Sequence, residues 1–264
     1  MFNDKKTLVV FGDSNVWGAE MLFSPHKQHE FKNVVYDPSD LASWPHHIRY
    51  SFPGVLAERH NMKILNLAIP GSSNDTIFRR VNQFLQGNYP VDLDECFVMI
   101  FWTTVERREF VDSQVSRPNI GYRHYTNYSP AWGDRNPTPF RKFHKLYVKT
   151  IFTEEYDIQK TFNYMYSLNG LLSHHGVDFV QGYSLFKDEL GILVQACDML
   201  NFISDDCIDS VHAIAADFAR QHFKTKTKPP TPNPYQFEGS HPTELGHLEI
   251  ANRYEQLLKQ RQAT

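Results

Sequence analysis

Long apolar runs, a positive net charge and paired cysteines are all missing from this chain. Apolar runs such as Cys96–Trp102 are far shorter than the roughly 20 residues of a membrane helix, so no membrane span is expected. A formal net charge of -3 gives no basic surface for phosphates, so no nucleic acid is expected as a partner. The three cysteines have no Cys-x-x-Cys spacing, and no apolar leader precedes the first strand. We therefore expect reduced thiols and a cytoplasmic location.

Metal and cofactor signatures are also missing. The pairs His46-His47 and His174-His175 have no companion at ligand spacing, and they are expected at the surface or in packing. The chain has neither a glycine-rich phosphate loop with a lysine nor a dinucleotide fingerprint. The sequence therefore predicts no metal site and no organic cofactor.

What the chain does have is an alternation of strand-like and helix-like segments. Its 264 residues, 41% hydrophobic and 22% charged, suit a single domain over 1–264. The alternation predicts a parallel sheet of about five strands with helices on both faces, a three-layer α/β/α sandwich. The expected strands are Thr7–Phe11, Lys63–Leu67, Glu95–Trp102, Val177–Gly182 and a short one at Asn201–Ile203. The expected helices are Asn15–Leu22, Phe52–His60, Thr76–Leu85, a long helical region over Phe140–Leu172, Ile208–His222 and Thr243–Gln260.

One long segment, around 111–140, interrupts this alternation. It is rich in aromatic residues and proline and has little periodicity, so we expect an irregular insertion. A loop of this length within a compact domain is usually functional. Its mixture of aromatic and basic side chains can stack on sugar rings, or it can form a small core of the insertion's own.

The first strand leads directly into Gly12-Asp13-Ser14. A hydroxyl at the carboxyl end of a strand lies where open α/β sheets place their sites. The backbone N–H of Ser14, at the start of a helix, can stabilise an oxyanion. The alternative interpretation is that Ser14 is only a helix cap. Asp13 is expected to bind the backbone of this turn.

A second polar cluster, Glu238-Gly239-Ser240-His241, precedes the last expected helix. A carboxylate three residues before a histidine can orient the imidazole and stabilise its charged form. Ser14, His241 and Glu238 are thus the parts of a hydrolytic triad. The alternatives are a surface histidine and a solvated loop carboxylate. His247, six residues after His241, is expected to be structural.

Together these blocks resemble the SGNH or GDSL-type hydrolases, a superfamily of serine esterases, lipases and deacetylases. The similar segments are Phe11–Ser14, Asn66–Asn74 and Glu238–His247. The resemblance implies a flavodoxin-like sheet, with Ser14 as nucleophile and its N–H in the oxyanion hole. It also implies that the N–H of Gly71 is a second oxyanion donor. Glu238 stands where the family usually has aspartate.

The block after the third strand departs from the family. Where Gly-x-Asn-Asp is expected, the chain has Trp102-Thr103-Thr104-Val105, so Thr104 replaces the oxyanion asparagine. Losing one oxyanion donor typically costs about 10²–10³ in turnover. The hydroxyl of Thr104, the amide of Asn74 and the guanidinium of Arg107 are candidate replacements, the last two also for substrate binding. The alternative for Arg107 is an ion pair with Glu106 or Glu109, and such an ion pair is expected for Arg108.

The sequence therefore predicts a carboxylic-ester hydrolase that acts on a small acyl ester, for example an O-acetyl group on a carbohydrate. The expected partner is a small-molecule or carbohydrate ester. The departure in the third block supports an alternative, in which a catalytically weakened fold serves as a glycan- or protein-binding module.

Overall fold

The structure is a computed structural model, and it describes residues 5–18, 34–112, 124–128, 153–184 and 241–263. Its strands are β1 (Thr7–Phe11), β2 (Lys63–Asn66), β3 (Cys96–Trp102), β4 (Arg108–Asp112), β5 (His124–Tyr128) and β6 (Asp178–Tyr183). Its α-helices are α1 (Ser14–Trp17), α2 (His46–Arg49), α3 (Phe52–Arg59), α4 (Asn74–Leu85), α5 (Glu154–His174) and α6 (Glu244–Ala263). Short 3-10 helices cover Pro38–Ser43 and Leu93–Glu95.

Four strands form a parallel sheet in the order β2-β1-β3-β6. Val9 lies opposite Leu65 on one side and Val98 on the other, and Val98 lies opposite Phe179. This order, with the first strand between the second and third, is that of a flavodoxin-like sheet. The predicted α/β fold is therefore confirmed. The expected fifth strand at Asn201–Ile203 lies outside the described residues.

Both faces of the sheet are covered by helices, which produces three layers. All seven residues of β3 are buried, as its near-continuous apolar run predicts for a central parallel strand. Alternate side chains point to opposite faces. Phe97, Met99 and Phe101 join the core formed with α3 and α6, whereas Val98 and Ile100 join the core formed with α4 and α5.

Two expectations about local structure were wrong. The helix expected over Asn15–Leu22 ends at Trp17, because Gly18 adopts a left-handed φ of 87° and its N–H caps the carbonyl of Ser14. The insertion around 111–140 is not irregular throughout, because β5 lies within it and pairs antiparallel with β4. A five-residue strand with no pronounced apolar alternation gives little sequence signal, and its partner strand is needed to define it.

Within the described residues, no helix is both long and apolar enough to cross a membrane. The same part of the chain brings no three metal-ligating side chains together.

Candidate active site

Polar side chains gather where the four parallel strands end. The segment after each strand contributes one of these side chains, which are Asp13, Ser72, Thr103 and Ser184. Carboxyl ends of parallel strands meet at one edge, so residues distant in sequence become neighbours there. This edge is where the sequence placed the candidate site.

Ser14 is the first residue of α1, immediately after the turn at Gly12. Asp13 caps the helix, since its Oδ1 accepts a hydrogen bond from the N–H of Asn15 at 3.0 Å. A Cβ at position 12 would lie 2.6 Å from a methyl group of Val16, so this close turn requires glycine. The N–H of Ser14 has no hydrogen-bond partner among the described residues. It is therefore available at the helix N-terminus, next to its own hydroxyl.

The structure brings Ser14 and His241 together. The Nε2 of His241 lies 2.9 Å from the Oγ of Ser14, although 227 positions separate the two residues. His241 lies just before α6, on the segment that enters the last helix. If Nε2 accepts the serine proton, the imidazole carries its own proton on Nδ1, which is the atom that a triad carboxylate orients. Glu238, the expected carboxylate, lies outside the described residues.

Gly71 lies in a tight turn beside Ser14. The N–H of Ser72 donates to the carbonyl of Ile69 at 3.0 Å, and Gly71 has a φ of 76°, as a turn with Pro70 before the glycine requires. The N–H of Gly71 has no partner among the described residues. The N–H of Ile69 donates to the carbonyl of Gly12 at 3.1 Å, which holds this turn against the one that carries Ser14.

Thr104 follows a residue whose backbone is fixed on both sides. Asn74 accepts from the N–H of Thr103 at 2.9 Å and donates to its carbonyl at 3.1 Å. The Oγ1 of Thr104 is buried and has no hydrogen-bond partner among the described residues. A buried hydroxyl without a partner is costly, so it is a candidate for binding a group that the protein does not itself supply.

Asn74 is fully used in this structural role. Its amide nitrogen also donates to the Oγ1 of Thr161 at 3.2 Å, and its side chain is 1% exposed. Both N–H groups and the oxygen of the amide thus have partners within the fold. Asn74 therefore fixes the end of β3 rather than offering an amide to a substrate.

Arg107 forms an ion pair with the fully buried carboxylate of Asp13, with 3.2 Å between Nη1 and Oδ2. Asp13 also accepts from the Oγ1 of Thr103 at 2.8 Å and from the hydroxyl of Ser184. A buried carboxylate needs such donors, because an unpaired charge in the interior is very unfavourable. The expectation that Asp13 binds its own turn was therefore too narrow, since it also joins the ends of β3 and β6.

The sequence reading missed Ser184 and Thr103 as members of this network. Each is a polar residue directly after a buried strand, which was the available signal. Arg108 pairs with Asp157, and Glu109 pairs with Arg79 at 2.7 Å, so the local ion pairs expected for Arg108 were wrong. Partners on α4 and α5 are too far along the chain for spacing to indicate them.

His247 is fully buried, as its expected structural role requires. Its Nδ1 accepts a hydrogen bond from the N–H of Phe52 at 3.2 Å, which joins α6 to the start of α3. Burial, with a smaller effect from the charge of His241, lowers the pKa of His247 to about 3. The ring is therefore neutral at ordinary pH.

Cys96, the first residue of β3, is a free and buried thiol. Its Sγ lies 2.9 Å from the carbonyl of Asp92, and burial raises the pKa of the thiol to about 12. A thiol with so high a pKa is a poor nucleophile at neutral pH.

The strand order and the two helical layers define a flavodoxin-like α/β/α protein. The chain belongs to the family described as "Family of unknown function (DUF6071)", whose model matches residues 33–220. Ser14 and His241 both lie outside the matched residues. No curated protein matches the chain in sequence.

Solved structures with a similar fold include esterases and lipolytic proteins. A lipolytic protein of the G-D-S-L family from Veillonella parvula is 9% identical, with 95% of this chain and 97% of that chain covered and a TM-score of 0.47. A catalytic mutant of Axe2, an acetylxylan esterase from Geobacillus stearothermophilus, is 13% identical, with coverages of 97% and 96% and a TM-score of 0.48. The psychrotrophic esterase EstA from Pseudoalteromonas sp. is 11% identical, with coverages of 98% and 100% and a TM-score of 0.42. Because these TM-scores lie below 0.5, the fold assignment depends on the strand order and packing of this chain itself.

Proposed function

We propose that this protein is a serine hydrolase that cleaves an ester of a small acyl group, with an O-acetyl group on a carbohydrate as one candidate substrate. The observation that carries the proposal is the 2.9 Å contact between the Oγ of Ser14 and the Nε2 of His241. A hydroxyl within hydrogen-bond reach of an imidazole, at the start of a helix, is the arrangement that an activated serine needs.

In the proposed first step, His241 removes the proton from Ser14 as the oxygen attacks the ester carbonyl carbon. The imidazole then holds that proton and passes it to the leaving alcohol oxygen as the carbon–oxygen bond breaks. Glu238 is proposed to orient the imidazole and to stabilise its charged form through Nδ1. Its side chain is one methylene longer than aspartate, so the loop before His241 must accommodate it.

Three donors are proposed for the negative oxygen of the tetrahedral intermediate. Two are the N–H groups of Ser14 and Gly71, which have no partner among the described residues. The third is the buried hydroxyl of Thr104, which has no partner within the same part of the chain. Donors that are fixed before the reaction stabilise the developing charge without the cost of reorganising water.

The acyl group is then carried on Ser14 until water attacks it, with His241 acting as base and then as acid. These steps use side chains, backbone N–H groups and water. An acyltransferase would follow the same steps with a second alcohol in place of water, so the released product distinguishes the two activities.

The test measures hydrolysis of p-nitrophenyl acetate and longer esters by the wild type, Ser14→Ala and His241→Ala. Each substitution is expected to lower kcat on the order of 10⁴-fold or more, because members of such a pair act as a unit. Ser173→Ala and His174→Ala, which change exposed residues of α5, are the matched controls and should keep full activity. Labelling of the same proteins with a fluorophosphonate checks the nucleophile directly, and Ser14→Ala should abolish it.

A folded wild type that neither hydrolyses these esters nor reacts with the fluorophosphonate would contradict the proposal. Binding of a glycan or a protein would then be the function to examine.

A further inference from the structure

The two backbone N–H groups that are proposed to receive the oxyanion must keep a fixed spacing, a requirement that rests on the proposed function. Ser14 follows β1, whereas Gly71 lies in the turn after β2. The hydrogen bond from Ile69 to Gly12 joins the two turns through their backbones. The side chain of Arg107, which lies in the loop after β3, makes a second connection between the two turns.

The Nη1 of Arg107 contacts both turns at once. It lies 3.2 Å from the Oδ2 of Asp13, the residue before Ser14, and 3.3 Å from the carbonyl oxygen of Ser72, the residue after Gly71. Because the Arg107 side chain is only 12% exposed and that of Asp13 is fully buried, water screens this ion pair weakly.

The backbone around Arg107 holds the guanidinium in place. The N–H of Arg107 closes a turn onto the carbonyl of Thr104, and Asn74 fixes the preceding residue, Thr103. Thr103 in turn donates to the same carboxylate oxygen of Asp13 that binds the arginine. The guanidinium is therefore anchored on both sides before any substrate binds.

The geometry points to Arg107 as a positioning residue for the oxyanion hole. Its cation clamps the Asp13 carboxylate and the Ser72 carbonyl together, and this sets the separation of the Ser14 and Gly71 N–H groups. In this role Arg107 acts through the two turns that its Nη1 joins.

The clamp has a matched counterpart that does not touch the site. Arg108 pairs with Asp157, whose carboxylate is also fully buried, and the Arg108 side chain is 16% exposed. This second ion pair joins the start of β4 to α5. Its removal therefore measures the general effect of losing a buried ion pair in this region.

The test compares two double variants, Asp13→Asn with Arg107→Met, and Asp157→Asn with Arg108→Met. Removing both charges of a pair avoids the strong destabilisation caused by one uncompensated buried charge. Asparagine can still cap α1. The readout is hydrogen exchange of the Ile69 and Ser72 amides, which are hydrogen-bonded within the clamped turn.

In the first double variant the protection of these two amides is expected to fall at least about tenfold relative to the second. Arg107→Lys, which keeps a cation beside Asp13, should recover part of it. Equal protection in the two double variants overturns the inference. This comparison needs no enzymatic activity, so it is decided even if the wild type hydrolyses no ester.

Kinetics provide the second readout. The first double variant should lower kcat for p-nitrophenyl acetate about 10²-fold with little change in KM, because misplaced donors affect only the transition state. The second double variant should keep the wild-type kcat. A loss of kcat that is equal in both double variants would show a general structural effect and would overturn the positioning role.

Discussion

Thr104 is the residue at which this chain differs most informatively from the hydrolases that it resembles. Its hydroxyl is buried and has no partner among the described residues, next to a residue that Asn74 fixes on both sides. Leaving a hydroxyl unpaired in the interior costs about 1–3 kcal/mol. A hydrogen bond that this hydroxyl forms only with the transition state is a physical reason to retain it despite that cost.

We predict that Thr104→Val lowers kcat by about 10²–10³, the typical effect of removing one oxyanion donor. Valine has nearly the same shape, so the fold should be kept, and removing the unpaired hydroxyl should raise the free energy of unfolding by about 1–3 kcal/mol. The measurements are ester hydrolysis and thermal unfolding.

Thr103→Val is the control for this prediction. The Oγ1 of Thr103 donates to the buried carboxylate of Asp13 at 2.8 Å, so its loss should lower stability. An unchanged kcat in Thr104→Val would show that Thr104 does not serve as a third donor.

Among the elements, α4, β4 and α5 are joined by polar contacts at Asp75, in addition to the apolar core that α4 and α5 share. Asp75 on α4 accepts from the Nζ of Lys160 at 2.8 Å, from the hydroxyl of Tyr164 at 2.9 Å and from the N–H of Glu109 at 3.0 Å. These contacts attach the first residues of the β4–β5 hairpin to the body of the fold. They explain how a hairpin outside the main sheet keeps a defined position.

The backbones of α2 and α3 approach each other closely at Gly54. A Cβ at Gly54 would lie 1.9 Å from the backbone carbonyl oxygen of Ile48, a distance that no side chain can occupy. Gly170 in α5 is different, since a Cβ there would have no atom within 4 Å from outside its own helix among the described residues. An alanine at Gly54 therefore tests close packing, whereas an alanine at Gly170 tests helix propensity alone.

We predict that Gly54→Ala lowers the free energy of unfolding by about 1–3 kcal/mol or more, because the two segments must move apart. Gly170→Ala should raise it by up to about 1 kcal/mol, since alanine favours a helix where space allows. Urea unfolding of the two variants beside the wild type measures both effects. A stabilised Gly54→Ala would mean that α2 and α3 do not approach this closely.

At the scale of the whole molecule, the site depends on α6 lying against α3 and the sheet. Phe52, at the start of α3, packs its ring against Tyr254 of α6 and Phe101 of β3, with ring centroids 5.5 Å and 5.1 Å away. The hydrogen bond from the Phe52 N–H to His247 lies in the same contact. Because His241 directly precedes α6, this packing brings it close to Ser14, which lies near the opposite end of the sequence.

We predict that His247 makes the stability of the molecule depend on pH. Its pKa is about 3 in the folded chain, against an ordinary 6.5 in the unfolded chain. Between these values only the unfolded chain binds the proton, so stability falls as pH falls, by up to about 1.4 kcal/mol per pH unit. The contribution is fully present above pH 6.5.

The measurement is urea unfolding between pH 7 and pH 4 for the wild type and His247→Asn. The asparagine oxygen can accept the Phe52 N–H but does not titrate, so the variant's stability should fall less steeply. His174→Asn, at an exposed position of α5, should follow the wild type. Parallel curves for the wild type and His247→Asn would contradict the prediction.

The sheet was largely predictable from the sequence, because buried parallel strands are encoded locally. The prediction of β1 matches the structure, those of β2 and β3 differ from it by one residue at one end, and that of β6 is displaced by one residue at both ends. Continuous apolar runs leave little alternative for such segments. The hairpin was not predictable, since β4 and β5 are recognisable as strands only once they pair.

For the candidate site, the sequence by itself determined which chemical groups follow the strands and which precedes the last helix. The hydroxyls of Ser14 and Thr104 and the glycine turn at Gly71 follow strands, and the imidazole of His241 precedes the helix. Only the tertiary structure decided how they are used. In the fold, His241 lies within hydrogen-bond distance of Ser14, and the Asn74 amide bonds to the backbone of Thr103. Arg107 contacts Asp13 and Ser72. The physical reason is that a residue's type and its neighbours along the chain fix its chemistry and local backbone, whereas its hydrogen-bond partners come from other strands and helices, and packing alone brings these together.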